Sequence, residues 1–389
     1  MIEVIMPVYN TPGKIFDNSI ASVIAQTRDD WKMWIVNDGS TDDTALKILD
    51  KYRHYFDTRI TVIDKENGGV SSARNLGLSK VSSDSYIAYL DSDDHWNSNH
   101  LQKSIETLER GFDVTYCNPI VVDENGTIIQ MNFKLYDEFN AKRFKFGNFI
   151  FISTVVHRNC LEMFDSALDS LEDYDMWVRA TKNGQTFCQH ETTAIYFAKP
   201  DGLAGQGRNV LPLVHQKHSD FFKTRLHLGC GDQYLDDYVN CDLYSTCADV
   251  KLDCATMRLH DYPLDENLAD EIMAYHLIEH FDFVQGQDVL REWYRLLKPG
   301  GRLHIETPDM LNTCKEFVEA GEQCRIQLYS HFWAWPWLPG QVHKFLYTET
   351  QLFWLLNQLG FRNIRRLCPD SVGVEKNNIT LFLNVEAFK

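Results

Sequence analysis

The chain has 389 residues, with 38 Lys+Arg against 55 Asp+Glu and a formal net charge of -17. That length holds two or three domains, and a composition 44% hydrophobic and 13% aromatic supplies large cores and excludes a chain disordered throughout. The acidic balance excludes a generic nucleic-acid binder, which needs a basic stripe, yet it permits an anionic ligand wherever a cation or a helix N-terminus reverses the local sign.

No apolar run approaches the roughly 18 residues that span a bilayer. The opening Met1–Pro7 reads as a strand and not as a signal peptide. Ten cysteines, none in a CxxC pair, are too sparse for a disulfide framework. Reduced, mostly structural thiols in a cytoplasmic protein are the expectation.

In chain order, Ile2–Val8 is a near-continuous apolar run, as in a buried parallel strand. Lys14–Gln26 has helical spacing, and Trp31–Val36 is a second strand. Ser40 or Thr41 is placed to cap a helix whose first turn carries Asp42 and Asp43. Arg59–Ile63 is a strand, Val70–Leu78 a helix and Tyr86–Leu90 a further strand. This alternation predicts a parallel sheet with helices on both faces and ligands beyond the carboxyl ends of its strands. Lys199–Arg208 reads as a loop, and Val210–Phe222 as helical. A second series follows, with strands at Thr224–Leu228, Tyr238–Leu243, Asp270–Ala274 and Arg302–Glu306. Its helices are predicted at Val289–Leu297 and at Thr350–Leu359, the latter closed by Gly360, with a turn at Lys298–Gly301.

Polar clusters fall where the first series of strands ends. Asp91-Ser92-Asp93 closes Tyr86–Leu90, and carboxylates at i and i+2 of a turn can face one site as hard oxygen ligands for Mg²⁺ or Mn²⁺. Acidic turns are common, so the pair by itself says little. It follows Val4–Asn10, Asn37–Thr44 and Asn67–Gly77, and together these segments closely resemble the family 2 glycosyltransferases of the GT-A fold, over roughly residues 1–200.

The resemblance implies roles. Pro7, Tyr9, Asn10 and Asp38 would line the nucleotide end of a nucleotide-sugar donor, with Asn67, Arg74 and Ser92 bordering it. Asp91 would contact the ribose side, and Asp93, with Asp91, would hold the metal on the diphosphate. Leu171–Arg179, preceded by Phe164-Asp165-x-x-Leu168, is similar to the family's acidic ED motif and makes Asp173 the implied general base. Glu172 would assist, and Asp175 is an alternative. Many relatives carry a His shortly after an aromatic strand that follows this motif. Here Ala194–Phe197 is followed by no close His, which leaves a third metal ligand unassigned, with Lys199 or Arg208 offered to the diphosphate.

In the second half, the strand ending in Leu228-Gly229-Cys230-Gly231 is half a dinucleotide fingerprint, with Tyr234 where the third glycine would stand. Asp242 ends the next strand, where an acid grips a ribose. Adding Asp253-Cys254, His276-Leu277-Ile278-Glu279-His280 and Leu297-Lys298-Pro299-Gly300-Gly301, the series resembles the class I S-adenosylmethionine-dependent methyltransferases over about 224–389. By that likeness Leu228, Gly229, Cys230 and Gly231 approach the methionine end. Asp242 and Leu243 would meet the ribose, Asp253 and Cys254 the adenine, and His276 the cofactor's vicinity. His280 and His343 are candidate bases for a hydroxyl acceptor, and each has an ordinary structural reading as well.

His276-x-x-Glu279-His280 also matches the inverted zinc-protease string, but the surrounding pattern already accounts for it. The aromatic run Tyr329–Leu338 suits core or lid packing first and a carbohydrate platform second.

The expectation is therefore an α/β protein of two domains. Residues 1–210 form a GT-A domain, 211–223 a linker helix and 224–389 a Rossmann-like methyltransferase domain. Its expected activities are inverting, metal-dependent glycosyl transfer from a nucleotide sugar to a glycan or lipid-linked glycan, and O-methylation of a sugar in the same glycan. A scaffold role for the second half, or a non-glycan methyl acceptor, stays open at this point.

Overall fold

The computed structural model describes residues 1–123, 126–129, 139–198, 210–259, 262–333, 342–367 and 381–389. The loop predicted at Lys199–Arg208 therefore lies outside the described residues. The chain divides into two compact units, Met1–Phe222 and Lys223–Lys389.

The first unit begins β1 (Ile2–Val8), α1 (Gly13–Ile24), β2 (Trp31–Asn37), α2 (Asp43–Arg53), β3 (Ile60–Asp64), α3 (Gly69–Leu78) and β4 (Tyr86–Tyr89). It continues β5 (His95–Trp96), α4 (His100–Leu108), β6 (Val114–Cys117), β7 (Ile120–Val122), β8 (Val156–His157), α5 (Glu172–Lys182), β9 (Phe187–His190) and β10 (Ala194–Phe197). Seven strands form one sheet in the order β3-β2-β1-β4-β8-β6-β9, and β5-β10-β7 form a small second one. β1 pairs in parallel with both β2 and β4, so the chain leaves the sheet in opposite directions on its two sides. That switch point opens a crevice at the carboxyl ends of these strands.

Side chains alternate across β1. Ile2, Val4, Met6 and Val8 join Phe16, Ile20 and Leu49 on one face. Ile5 joins Tyr89, Tyr174 and Trp177 on the other. Helix α3 lies close against β1, because a Cβ on Gly77 would stand 2.6 Å from Ile5 Cγ2.

The cap of α2 differs from the expectation at Ser40 or Thr41. Asp42 does it, accepting from the Thr44 and Ala45 amides at 3.0 and 2.9 Å. Asn10 has engaged both of the expected residues: its amide donates to Ser40 Oγ, and its side-chain oxygen accepts from the Thr41 amide. The stretch 211–223, expected as a linker helix, is helical over Leu211–Lys217, with Val214 and Phe222 buried in the first unit's core.

The second unit carries β11 (Arg225–Leu228), β12 (Val239–Cys241), a small hairpin of β13 (Arg258–Leu259) and β14 (Tyr262–Pro263), and β15 (Ala269–Tyr275). β16 (Leu297–Pro308), β17 (Arg362–Arg366) and β18 (Phe382–Phe388) complete it. The sheet order is β12-β11-β15-β16-β18-β17, parallel through β16 and antiparallel beyond. The turn predicted at Lys298–Gly301 sits inside β16 as an irregularity, since Ala269 pairs with Leu297 while Glu271 pairs with Arg302. The helix predicted to start at Val289 starts at Phe283, fixed by an Asp282 capping box. Exposed Phe283 and Val284 hide its apolar period in the sequence. Among the described residues no helix is long and apolar enough to cross a membrane.

Candidate functional sites

In the first unit the strand ends bring the expected residues to one edge. Pro7 is buried, Tyr9 is exposed, and Asn10 adopts a left-handed φ of 52°. The Asn10 oxygen accepts from the Thr41 and Asp42 amides at 2.7 and 2.9 Å, fastening the loop after β2 to the loop after β1. Asp38 is buried, and its carboxylate accepts from the Gly68 and Gly69 amides at 3.0 and 2.8 Å and from Lys65 Nζ. It thus holds the N-terminus of α3, where exposed Asn67 donates back to the Asp38 carbonyl at 3.0 Å.

The acidic turn is rigidly set. The Asp91 amide donates to Ser153 Oγ, and the Ser92 hydroxyl lies 2.6 Å from Thr11 Oγ1. Ser92 is therefore a buried structural contact. Arg74, 2% exposed, reaches from α3 between two motifs far apart in sequence. Its Nη2 meets Asp91 at 2.7 Å and its Nη1 meets Glu172 at 2.6 Å. Burial works against the guanidinium's charge, but the two carboxylates outweigh it and hold it protonated.

Asp173 stands beside this bridge. It accepts from Asn148 Nδ2 at 3.0 Å and from the Tyr174 amide at 2.7 Å. Burial and the neighbouring Glu172 charge push its carboxyl up to about 7, against the pull of Arg74. Asp175, the alternative base, is fully buried and held by Arg179, Lys217 and His218 at 2.7–2.8 Å. It is a structural anchor. Tyr196, on β10, has its hydroxyl kept protonated by burial and then by the charges of Asp94, Asp91, Asp93 and Asp173.

The donor chemistry of this turn fits a divalent cation. Asp94 is buried, with no hydrogen-bond partner for Oδ2 among the described residues, and burial together with Asp93 and Asp91 pushes its carboxyl well up. A hard cation on Asp91 and Asp93 would relieve that repulsion. Lys199 and Arg208 lie outside the described residues.

In the second unit a cavity of about 710 Å³ opens at the carboxyl ends of β11, β12 and β15. Gly229, Gly231, Asp242, Leu243, Asp253, Cys254, His276 and His280 all line it. Leu228 and Cys230 are buried beneath it in the strand and turn, outside the lining. Gly229 and Gly231 have φ of 65° and 50°, and a Cβ on Gly231 would meet nothing within 4 Å. That open space over a left-handed turn is a cradle for a ligand laid on backbone.

Asp242 accepts from the amides of Gly231, Tyr244 and Ser245 at 3.1, 2.7 and 2.8 Å, which ties the glycine turn to the loop after β12. Asp253 accepts from the Ala255 amide and Thr256 Oγ1.

His276 takes a left-handed φ of 50°. Its ring lies between Glu279 at 3.3 Å and Glu306 at 3.2 Å. Burial opposes its charge, but these carboxylates outweigh it and push the imidazole up to about 9. Fully buried Glu279 also accepts from Thr307 Oγ1 at 3.0 Å and lies 3.9 Å from His343 Nε2. The His280 and His343 rings are 5.1 Å apart. Each turns Nδ1 to a backbone carbonyl, Val342 at 3.2 Å and His331 at 2.8 Å, which puts the proton on Nδ1; His343 Nε2 faces Glu279, and His343 is not among the residues lining the cavity. Burial pulls the His343 imidazole below its ordinary range and keeps it neutral. The Ile278–His280 segment is a single 3-10 turn, so the zinc-protease spacing has no helix to carry it.

Sequence reasoning missed Asn148 and Ser153 in the first unit and Gln285, Asp288 and Lys344 in the second, none of which lies in a motif, and it noted the aromatic strand Ala194–Phe197 without assigning Tyr196 a role. In the aromatic run, Phe317 packs on Tyr329 and Phe332, which supports packing there, and Trp333 is exposed. Trp335 and Trp337 lie outside the described residues.

The family model described as glycosyl transferase family 2 matches residues 3–164, and that of a methyltransferase domain matches 226–305. An Escherichia coli protein, UDP-Glc:alpha-D-GlcNAc-diphosphoundecaprenol beta-1,3-glucosyltransferase WfgD, is 31% identical over 47% of this chain and 70% of its own length. The succinoglycan biosynthesis protein ExoW of Rhizobium meliloti is 36% identical over 28% of this chain and 34% of its own. Among solved structures, S. aureus TarS 1–349 in complex with UDP-GlcNAc has a TM-score of 0.46 and 22% identity, over 56% of this chain and 66% of that one.

Proposed function

Because this chain belongs to glycosyl transferase family 2, we propose that its first unit transfers a sugar with inversion from a nucleoside-diphosphate sugar to a hydroxyl. Its second unit then O-methylates a sugar of the same glycan. The observation that supports the first half is the Arg74 bridge, which joins Asp91 of the acidic turn to Glu172, the neighbour of Asp173. Asp173 takes the acceptor hydroxyl's proton as its oxygen attacks the anomeric carbon, and a carboxyl raised to about 7 is matched to that work near neutrality. Asn148 orients it. Asp93 and Asp91 would hold Mn²⁺ or Mg²⁺, which supplies charge to offset the departing diphosphate. Tyr9, Asn10, Asp38 and Asn67 border the nucleotide end, with Pro7 packed beneath.

In the second unit Gly229 and Gly231 let backbone approach a ligand, and Asp242 and Asp253 offer carboxylates to ribose and adenine. Bound S-adenosylmethionine would supply the methyl group. His280, which lines the cavity, presents Nε2 to accept a hydroxyl proton.

The E. coli relative is named for UDP-glucose and a lipid-linked acceptor. UDP-sugars and a diphosphate-lipid glycan at the cytoplasmic face are accordingly the first substrates to try. The purified chain is incubated with Mn²⁺, a UDP-sugar panel, a GlcNAc-diphosphate-lipid acceptor and methyl-labelled S-adenosylmethionine. Label that appears only after sugar addition is expected. Label that enters the acceptor without any donor overturns the shared-glycan reading. Calorimetry that detects no S-adenosylmethionine binding overturns the methyl-transfer half.

A further inference from the structure

We infer that the first unit holds a structural zinc ion on His100, Cys117 and His190, none of which belongs to the acidic turn. One ligand atom from each of the three lies within 4.8 Å of the others. The fold brings them together by register: Cys117 and His190 are paired across the parallel strands β6 and β9, and His100 opens α4, which packs on both. His100 and Cys117 are fully buried and His190 is half-buried.

The hydrogen bonds around the cluster leave lone pairs inward. His100 Nδ1 lies 2.7 Å from Thr193 Oγ1, whose hydroxyl also reaches Cys117 Sγ at 3.7 Å; the tautomer protonated at Nδ1 donates to that oxygen. His100 Nε2 is then a bare acceptor, buried and without a partner among the described residues. His190 turns Nδ1 to the Glu191 carbonyl at 2.8 Å, which leaves Nε2 unprotonated. Ser104 Oγ lies 3.2 Å from that atom but has its hydrogen on the His100 carbonyl at 2.8 Å.

Two imidazoles, each oriented through Nδ1 by an oxygen acceptor, and a sulfur beside them form the donor set and outer shell of a zinc site. A hard cation prefers the oxygens of Asp91 and Asp93, so the two sites select different metals. Burial keeps His100 neutral and holds the Cys117 thiol up at about 11 without an ion. Zinc binding forms the Zn–S bond and releases the thiol proton to solvent. A water or the Ser104 hydroxyl supplies the fourth donor. The ion would staple α4 to β6 and β9.

The test uses the full chain grown with zinc and desalted, then exchanged with Co²⁺. About one zinc per chain is expected, with a thiolate-to-cobalt charge-transfer band that Cys117→Ser removes and Asp93→Asn leaves in place. Less than about a tenth of an equivalent after zinc loading overturns the inference, as does a cobalt band that survives Cys117→Ser. Should that variant fail to fold, His190→Gln on the half-buried ligand gives the same reading. At least about tenfold weaker zinc binding supports the site, and unchanged affinity overturns it.

Discussion

The two units handle buried charge in opposite ways. In the first, Asp91, Asp93, Asp94, Glu172 and Asp173 crowd one edge, and Arg74 is shared between two of them. The carboxyls of Asp94 and Asp173 rise because like charges sit together in a poorly solvated place. In the second, the carboxylates have partners within the fold. Asp242 accepts from three backbone amides and keeps an acceptor position towards the cavity, and Glu279 and Glu306 enclose the His276 imidazolium. One site gathers several carboxylates around a single buried guanidinium, and the other pairs its buried glutamates with an imidazolium. The difference teaches that acidity alone does not identify a metal site; the test is whether the chain itself supplies the counter-charge.

The sharpest way to break this contrast is Asp173→Asn. Sugar transfer is expected to fall by about 10²–10⁴-fold while methyl transfer is unchanged, as read in separate labelled assays. Next comes Arg74→Met, which leaves buried Glu172 and partly buried Asp91 without their shared cation. A loss of about 3–5 kcal/mol in the first unit's unfolding free energy is expected by denaturant titration, with the second unit's transition unmoved.

The pH profiles should run in opposite directions. Asp173 must be ionised to act, and its carboxyl is raised to about 7, so kcat/KM for sugar transfer climbs about tenfold per unit below that value and levels above it. His276 is raised to about 9 from an ordinary 6.5. Its contribution to stability is fully present below about 6.5 and is lost as pH rises through about 9, so the second unit's Tm falls over that window. His276→Gln should flatten the fall. The smallest effect is expected from Asp242→Asn, which keeps the loop's shape and one acceptor oxygen. A roughly tenfold weaker S-adenosylmethionine affinity by calorimetry would match one lost charge-assisted hydrogen bond.

Much of this was legible in the chain. The buried strand at Ile2–Val8 and the glycine turn after Leu228 stand out as patterns because one element makes them by itself. What escaped was made by two or more segments. β5 and β8 are two residues long and carry no period, so they exist only as partners of other strands. Glu172 reads as a helper to Asp173, but Arg74, 98 positions earlier, claims it. Asn148 orients Asp173 from a stretch with no motif at all. Asp42 displaces the expected caps because Asn10 had already taken their hydrogen bonds.

Gly77 has a consequence beyond its own contact. It lies one turn after Arg74 on the same face of α3, and it leaves no clearance above Ile5. The helix is thus seated on the sheet as a ruler is seated on a bench, and the length of one arginine side chain is read from that datum. A single added methyl at 77 would shim the helix upward, and the error would appear at the far end of the guanidinium, between Asp91 and Glu172. The tolerance of the whole transfer site is set by the smallest side chain in its neighbourhood, at a position that touches no substrate.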